Sequence, residues 1–499
     1  MAVYNLTQTQ ITNDVQNSGL DAAAQAAIAL LLGGGAALTT GTSETFTATA
    51  QDGVIIATSG LGVNLSTNGA PVTAFTSAGS DFIVLNGSGA DTLFSGGGDD
   101  IIISQSGGDL INSGAGDDRV YVDGTGQTTI NAGAGDDSLV AYTSSANGQY
   151  TMLAGAGDDT LYHSGTGASV LDGGTGDDVI VGAGADTIKG GTGDDRIIGI
   201  GGSTGLNIDG GDGSDTILLG NSGGDTVAGG NGNDLILGYN NSSNLNLDGG
   251  SGEDRIYGGT GNNTLSGGDG DDSIYSQGHD TVLGGAGNDS VVGLGVTNFD
   301  GGDGNDVFID YHSTGGASTL AGGAGDDLIV NNFAVGDTLL GGSGNDALYT
   351  FRTAFVDGGT GDDSLFSIGA SSATILGGAG NDSIFGNDST GSNVFDGGDG
   401  NDGIYGGSGN DSMNGGTGDD TFVLYAGRGG ADTVNGGAGT DLLYAAGSTL
   451  SSIANNHNGS FTINFGGGNT IQATNLEFVQ DQAGHVVDLL QVNGVVTFP

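Results

Sequence analysis

The residues of this chain whose types and spacing can do chemistry are aspartates held at a fixed offset from paired glycines. In "GGSGNDSMNGGTGDDTFV", residues 406 to 423, the order Gly-Gly-x-Gly-x-Asp-x-apolar-x is written twice in succession. The motif begins at Ser95, Ser113, Ala132, Ala154, Gly173, Gly190, Gly210, Gly229, Gly249, Gly267, Gly284, Gly301, Gly322, Gly341, Gly358, Gly377, Gly397, Gly415 and Gly436, with further copies at Gly258 and Gly406. With no Cys and 5 His in 499 residues, the chemistry open to these carboxylates is the binding of a cation by oxygen. If the acids stack at the ~4.8 Å strand spacing, each neighbouring pair repels by about 0.9 kcal/mol even at the dielectric of water. Folding therefore calls for a cation between them.

Other chemistries find little support. Lys and Arg number 6 against 59 Asp and Glu, a net charge of −53, so nucleic acid is repelled rather than bound. The histidines His163, His279, His312, His457 and His485 are scattered, with no His-Glu-x-x-His pair. Gly-x-Ser-x-Gly strings at Gly201–Gly205 and Gly220–Gly224 do not lie between a strand and a helix, and Lys189 lies outside any phosphate-loop pattern. No region outside the repeats is long enough for a typical enzyme domain, so the chain reads as a non-enzyme.

The elements that must position the acids follow from the period. Each nonapeptide supplies a six-residue turn, in which glycine permits positive φ, and about three residues that form a strand. Position 8 is nearly always Ile, Leu, Val or Phe and points inward, whereas positions 7 and 9 point outward. Repeats step by about 17 to 22 residues, so a strong half and a weaker half make one coil. In "GGTGDDVIVGAGADTIK" the two halves carry Asp178 and Asp186. The expected fold is all-β, a parallel β-roll or β-solenoid of about twenty coils, with a small helix-containing N-terminal cap and a C-terminal β cap. Position 9 holds an outward series, including Tyr121, Tyr162, Tyr257, Tyr275, Tyr349, Phe366, Phe385, Tyr405 and Tyr444, that reads as strand packing or as an interface ladder. Asp172, Asp209, Asp248, Asp300, Asp357 and Asp396 precede Gly-Gly pairs and read as second-edge ligands or solvated acids.

The repeat resembles the RTX (repeats-in-toxin) calcium-binding β-roll, over roughly residues 76 to 445. The resemblance implies Ca2+, many ions, lying between successive turns and bound by the position-6 Asp and by glycine-loop carbonyls. Carried over residue by residue, the metal ligands are Asp178, Asp195, Asp215, Asp234, Asp254, Asp272, Asp289, Asp306, Asp327, Asp346, Asp363, Asp382, Asp402, Asp411 and Asp420, with Asp100, Asp118, Asp137, Asp159 and Asp441 in slightly weaker motifs. Asn263 replaces the acid in "GGTGNNTLS".

Around the repeats, residues 1–75 read as an N-terminal helix, Ala22 to Leu32, plus β segments forming a cap or assembly region. Residues 446–499 read as a C-terminal β cap, with Asn475-Leu476-Glu477-Phe478 resembling the closing segment that follows RTX repeats, and as a type I secretion signal. "MAVYNLTQTQ" has no basic region of a cleaved leader, and the run at Ala22 to Leu32 is too short to span a bilayer. The expected protein is extracellular, at the surface of a Gram-negative bacterium, folded by calcium and assembling with itself as an S-layer, filament or matrix. Its partners are calcium, its own copies, the type I secretion apparatus and a cell-surface polysaccharide. The alternative is a binding module: an RTX adhesin segment or a contact-dependent antibacterial protein.

Overall fold

The computed structural model describes residues 71–498 apart from positions 77, 86–88, 106, 143–147, 201–204, 222, 240, 296–297, 312–316, 333–335, 353, 370–371, 387–390, 426–429 and 467–468. It also describes the strand backbones Leu38–Gly41, Phe46–Thr47, Gly53–Ala57 and Asn64–Ser66. The helix expected at Ala22 to Leu32 lies outside the described residues.

The chain divides into two units, residues 1–251 and 252–499, and both are built from the same coil. In the first unit, Val170–Thr175 pairs in parallel with Gln149–Ala156 on one side and Thr187–Thr192 on the other. After the turn, Val179–Ala183 pairs in parallel with Thr160–His163 and Arg196–Ile200. The strands thus fall alternately into two parallel ladders, sheet A and sheet B. In this unit the ladders extend back through Gly53–Ala57 to Leu38–Gly41. In the second unit Thr319–Ala324 lies between Asn298–Asp303 and Asp337–Ser343, and Leu328–Asn331 lies between Val307–Asp310 and Ala347–Thr350. The fold is an all-β parallel β-solenoid of about eighteen turns. Among the described residues the one helical element is a 3-10 turn, Leu489–Gln491.

The strand pattern arises from alternation. In Val179–Ala183 the position-8 residue Ile180 is fully buried, while Val179 and Val181 are half-exposed. Ile197, Ile217 and Ile236 repeat this in the following coils, giving a column of branched side chains between the sheets. Larger rings occupy the interior of the second unit, where Phe299 and Phe308 stack at 4.7 Å from opposite sheets.

The second unit closes with a reversal of direction. Leu450–Asn455, Ser460–Phe465 and Thr470–Thr474 run as an antiparallel meander. Thr470–Thr474 and Phe478–Asp481 then rejoin the two ladders in parallel, against Ala431–Ala438 and Leu442–Ala446.

Candidate metal centre

The turn that leads from sheet A into sheet B holds the acids. In residues 173–178, Gly174 (φ 111°) and Gly176 (φ 123°) adopt a backbone conformation that a side chain disfavours. A Cβ on Gly174 would also strike the carbonyl of Gly155 in the preceding coil. These glycines let successive turns nest, so that Asp178 is carried directly above Asp159 and below Asp195.

At most of these turns the two oxygens of the position-6 aspartate are placed differently. Its Oδ1 accepts a hydrogen bond from the backbone N–H of the preceding coil's aspartate: Asp159 N to Asp178 at 2.7 Å, Asp178 N to Asp195 at 2.8 Å, Asp195 N to Asp215 at 2.8 Å. The second unit repeats the link from Asp254 through Asp272, Asp289, Asp306, Asp327, Asp346, Asp363, Asp382, Asp402 and Asp420 to Asp441. Its Oδ2 is buried with no hydrogen-bond partner, as at Asp178, Asp195, Asp215, Asp272, Asp289, Asp327, Asp363 and Asp420. An unpartnered buried carboxylate oxygen is costly, and a whole column of them needs a compensating charge.

The surroundings of Oδ2 fit a hard cation. A Cβ added to Gly173 would collide with Asp178 Oδ2 and with the carbonyl oxygen of Gly190 in the next coil. The same pairing of position-6 Oδ2 with the next coil's position-1 carbonyl recurs at Gly190, Gly210, Gly267, Gly284 and Gly341. A carboxylate oxygen and a carbonyl oxygen therefore face a cradle kept open by glycine, the donor set calcium takes. Among the described residues no three His, Cys, Asp or Glu side chains converge, so backbone carbonyls are integral to any such site. Burial, together with the neighbouring acids, pushes Asp178, Asp195, Asp272, Asp327, Asp363 and Asp420 up to about 7, and Asp215, Asp289, Asp346, Asp382 and Asp402 up to about 6.

Position 5 differs from position 6. There, exposed Asp and Asn interchange along the column, and each N–H donates to the side chain of the preceding coil, as in Asp194 N to Asp177 at 2.9 Å and Asn381 N to Asp362 at 2.7 Å. An amide oxygen serves that role as well as a carboxylate. At position 6, by contrast, the second carboxylate oxygen is left without a protein partner, as at Asp178 and Asp363.

The first described turns of the first unit and the last of the second differ from the others. Thr76, Ser95 and Ser113 stand where later turns have glycine, and each hydroxyl donates to the next coil's position-1 carbonyl, at 2.7, 2.8 and 3.2 Å. A protein donor therefore already satisfies that carbonyl at the turns of Asp100 and Asp118. In the second unit, Asp441 N donates to Glu477 Oε2 at 2.9 Å, and a Cβ on Gly436 would strike Asn475 O together with Asp441 Oδ2. The Asn475–Glu477 segment thus reproduces the turn of one more coil, with Asn475 at φ 48°.

Of the twenty expected ligands, the structure places Asp411 apart from the rest. It lies in the turn leading from sheet B back to sheet A, where Asn393 N donates to it at 2.9 Å and its own N–H donates to Asp432 at 2.9 Å, while its Oδ2, like those of the other turns, is buried with no hydrogen-bond partner. Gly407 and Gly409 do not take the positive φ of the main column, and neither do Gly259 and Gly261 before Asn263. The Nδ2 of Asn263 donates to the Gly259 carbonyl at 3.0 Å, so an amide meets a loop oxygen there. Asp172, Asp209, Asp248, Asp300, Asp357 and Asp396 lie on the outward face of sheet A, at neither edge.

This second edge is largely closed by protein donors, which sequence reading missed. Asp186 Oδ2 meets His163 Nδ1 at 2.7 Å and Ala183 N at 2.9 Å; Asp280 Oδ2 accepts from Ser276 at 2.6 Å, and Asp337 Oδ2 from Asn331 at 2.7 Å. Ser104 Oγ donates to Asp109 in the same manner. Ser169 Oγ lies 3.5 Å from His163 Nε2, so a serine, a histidine and an aspartate stand in series. All three are buried, His163 and Asp186 at 0% exposure, and Ser169 also accepts from Tyr150 N at 3.1 Å. The trio is built as a polar plug between the sheets, with no face open to a substrate.

Residues 85–120, 122–143, 155–203, 219–242, 248–299, 312–331, 336–350, 369–422 and 425–448 match a family model, the RTX calcium-binding nonapeptide repeat. No curated protein matches the chain.

Proposed function

Because the chain belongs to the family of RTX calcium-binding nonapeptide-repeat proteins, we propose that it is a secreted structural protein that folds around a column of calcium ions and then assembles with its own copies at the bacterial surface. The observation that carries the reading is the recurrence, within each unit, of buried Oδ2 atoms without a hydrogen-bond partner, as at Asp178, Asp195 and Asp215 in the first and Asp272, Asp289 and Asp327 in the second. The ligands are the position-6 aspartates of the turns that lead from sheet A into sheet B, from Asp100 to Asp441, each acting with glycine-turn carbonyls of its own and the adjacent coil. The cradle is most open from Asp178 onward, where position 1 is glycine.

Calcium supplies positive charge between carboxylates that otherwise repel. The chain's own residues do the rest: glycines bring the turns into register, Oδ1 ties each coil to the one before, and Oδ2 is left for the ion. Folding is thereby linked to external calcium, since a ligand that binds only the folded coil stabilises it by mass action. The C-terminal segment, which ends the column at Glu477, would emerge as the first folded template on export through a type I apparatus.

Assembly is favoured by the same step. Each bound ion offsets about two of the negative charges, so repulsion between copies falls as the solenoid forms. Light scattering and electron microscopy of the full-length protein test this. Ordered sheets or filaments should appear in millimolar calcium and dissolve in EGTA. A chain that folds in calcium yet stays monomeric at high concentration would replace assembly with the binding-module alternative.

A further inference from the structure

The two outer faces of the second unit differ in charge. On sheet B, the strands from Ser273–Ser276 to Leu442–Ala446 stack in continuous register, ten strands with two outward columns. One column runs from Ser273 to Leu442 and the other from Tyr275 to Tyr444. Neither contains an Asp, Glu, Lys, Arg or His. Sheet A of the same unit carries Asp300, Asp357 and Asp396 on its outward positions. In a chain of net charge −53, a face of twenty positions, nineteen with side chains and Gly403 without, that carries no carboxylate is a marked exception.

The middle of this face is a stack of rings. Tyr349, Phe366, Phe385 and Tyr405 follow one another at centroid separations of 4.4, 4.7 and 4.6 Å, with interplanar angles of 3°, 8° and 17°. Their faces are turned to each other along the column, so their edges form the outer surface. Val330 and Ile309 continue the strip on one side; on the other the column passes through Val423, which is itself buried. Such a strip has no ring face to offer a sugar, and it has no charge to offer an ion.

We propose that this face of sheet B is the surface through which one copy of the chain packs against a second copy, sheet B to sheet B. The inference rests on the self-assembly reading and names its contact. Two chains of like charge can approach closely only over a surface free of carboxylates, and packing B on A would bring Asp300, Asp357 and Asp396 into an apolar contact. Ten strands at ~4.8 Å give a strip about 48 Å long, roughly 600 Å² in projection, of the order that one partner contributes to a standard interface of about 800 Å² per side. Flat sheet faces with small Ser, Gly and Ala beside a ring column suit face-to-face sheet packing.

The test compares full-length variants in millimolar calcium by sedimentation velocity, with circular dichroism to confirm calcium-induced folding. Phe366→Glu with Phe385→Glu should lose the calcium-dependent shift to larger species, whereas Leu376→Glu on sheet A should keep it. As a check that does not depend on those variants folding, Ser364→Cys near the centre of the face, in a chain with no other Cys, should be captured as a covalent dimer by a short bismaleimide in calcium but not in EGTA. Thr374→Cys on sheet A should remain uncoupled. If wild type associates but the double variant associates equally and Ser364→Cys is not captured, this surface is wrong while self-assembly stands. If wild type stays monomeric, self-assembly and this interface fall together.

Discussion

The backbone N–H of Asp178 donates to Asp195 Oδ1 at 2.8 Å, while Asp195 Oδ2, buried in the same coil, has no hydrogen-bond partner. The first contact sets the stacking of coils, and the second leaves an oxygen that water cannot reach. The proposed dependence of this fold on a cation rests on that division between the two oxygens of one carboxylate.

Substituting Asp195→Asn separates the two roles. The amide oxygen still accepts from Asp178, but the charge facing the cradle is gone. In millimolar calcium the variant should lose about one bound ion and roughly 0.4 to 1.4 kcal/mol of stability, for site dissociation constants of ~0.1 to 1 mM. In EGTA the sign should reverse, because a buried unpaired charge has been removed. Thermal denaturation in the two buffers checks the crossover. Asp118→Asn should cost less in calcium, because Ser113 already donates to the Ala132 carbonyl beside that site.

Calcium stoichiometry should be about one ion per coil and not two. The second edge has its own donors: His163 for Asp186, Ser276 for Asp280 and Asn331 for Asp337. Equilibrium dialysis with radioactive calcium measures the ratio. A value near two per coil would mean that those donors give way to the ion.

Acid should partly replace calcium. In the calcium-free fold Asp178, Asp195 and Asp272 are pushed up to about 7 by burial, against 3.8 when exposed, so between those values the folded state binds more protons than the unfolded state. Stability of the calcium-free fold therefore rises as pH falls through 7 toward 4, and the destabilising effect is complete above about 7. Far-ultraviolet circular dichroism in EGTA should show β-structure growing from pH 7 to pH 5. A signal independent of pH in that range would contradict the burial of these acids.

The C-terminal stop should govern how folding begins. Glu477→Ala removes the acceptor for Asp441 N and leaves the last turn of the column open. Calcium-triggered folding, followed by stopped-flow fluorescence of the tyrosines, should slow several-fold with the final β content little changed. An unchanged rate would place the start of folding elsewhere in the chain.

Much of this architecture was legible because the signals are local. The offset from Gly173 to Asp178 specifies a turn, and Ile180 between Val179 and Val181 specifies which way the strand faces. What was not legible depends on which edge a turn reaches, and that is set by the length of the preceding connection. Asp402, Asp411 and Asp420 share one motif, yet Asp411 lies on the opposite edge because consecutive strong motifs alternate sides. The pairing of His163 with Asp186 joins residues 23 apart through coil stacking, and no local pattern announces it. The charge-free face of sheet B appears only when position 7 and position 9 are read down the register and not along the chain.

Calcium bound at the position-6 turns is proposed to make the fold. The most direct measurement is far-ultraviolet circular dichroism of the full-length protein at neutral pH, titrated with calcium after dialysis against EGTA, with magnesium as the control. A disordered spectrum is expected in EGTA and a cooperative gain of β-structure in millimolar calcium. Magnesium should substitute poorly, because it holds its water and demands octahedral geometry. A fully β spectrum in EGTA at neutral pH, unchanged by calcium, would contradict that proposal.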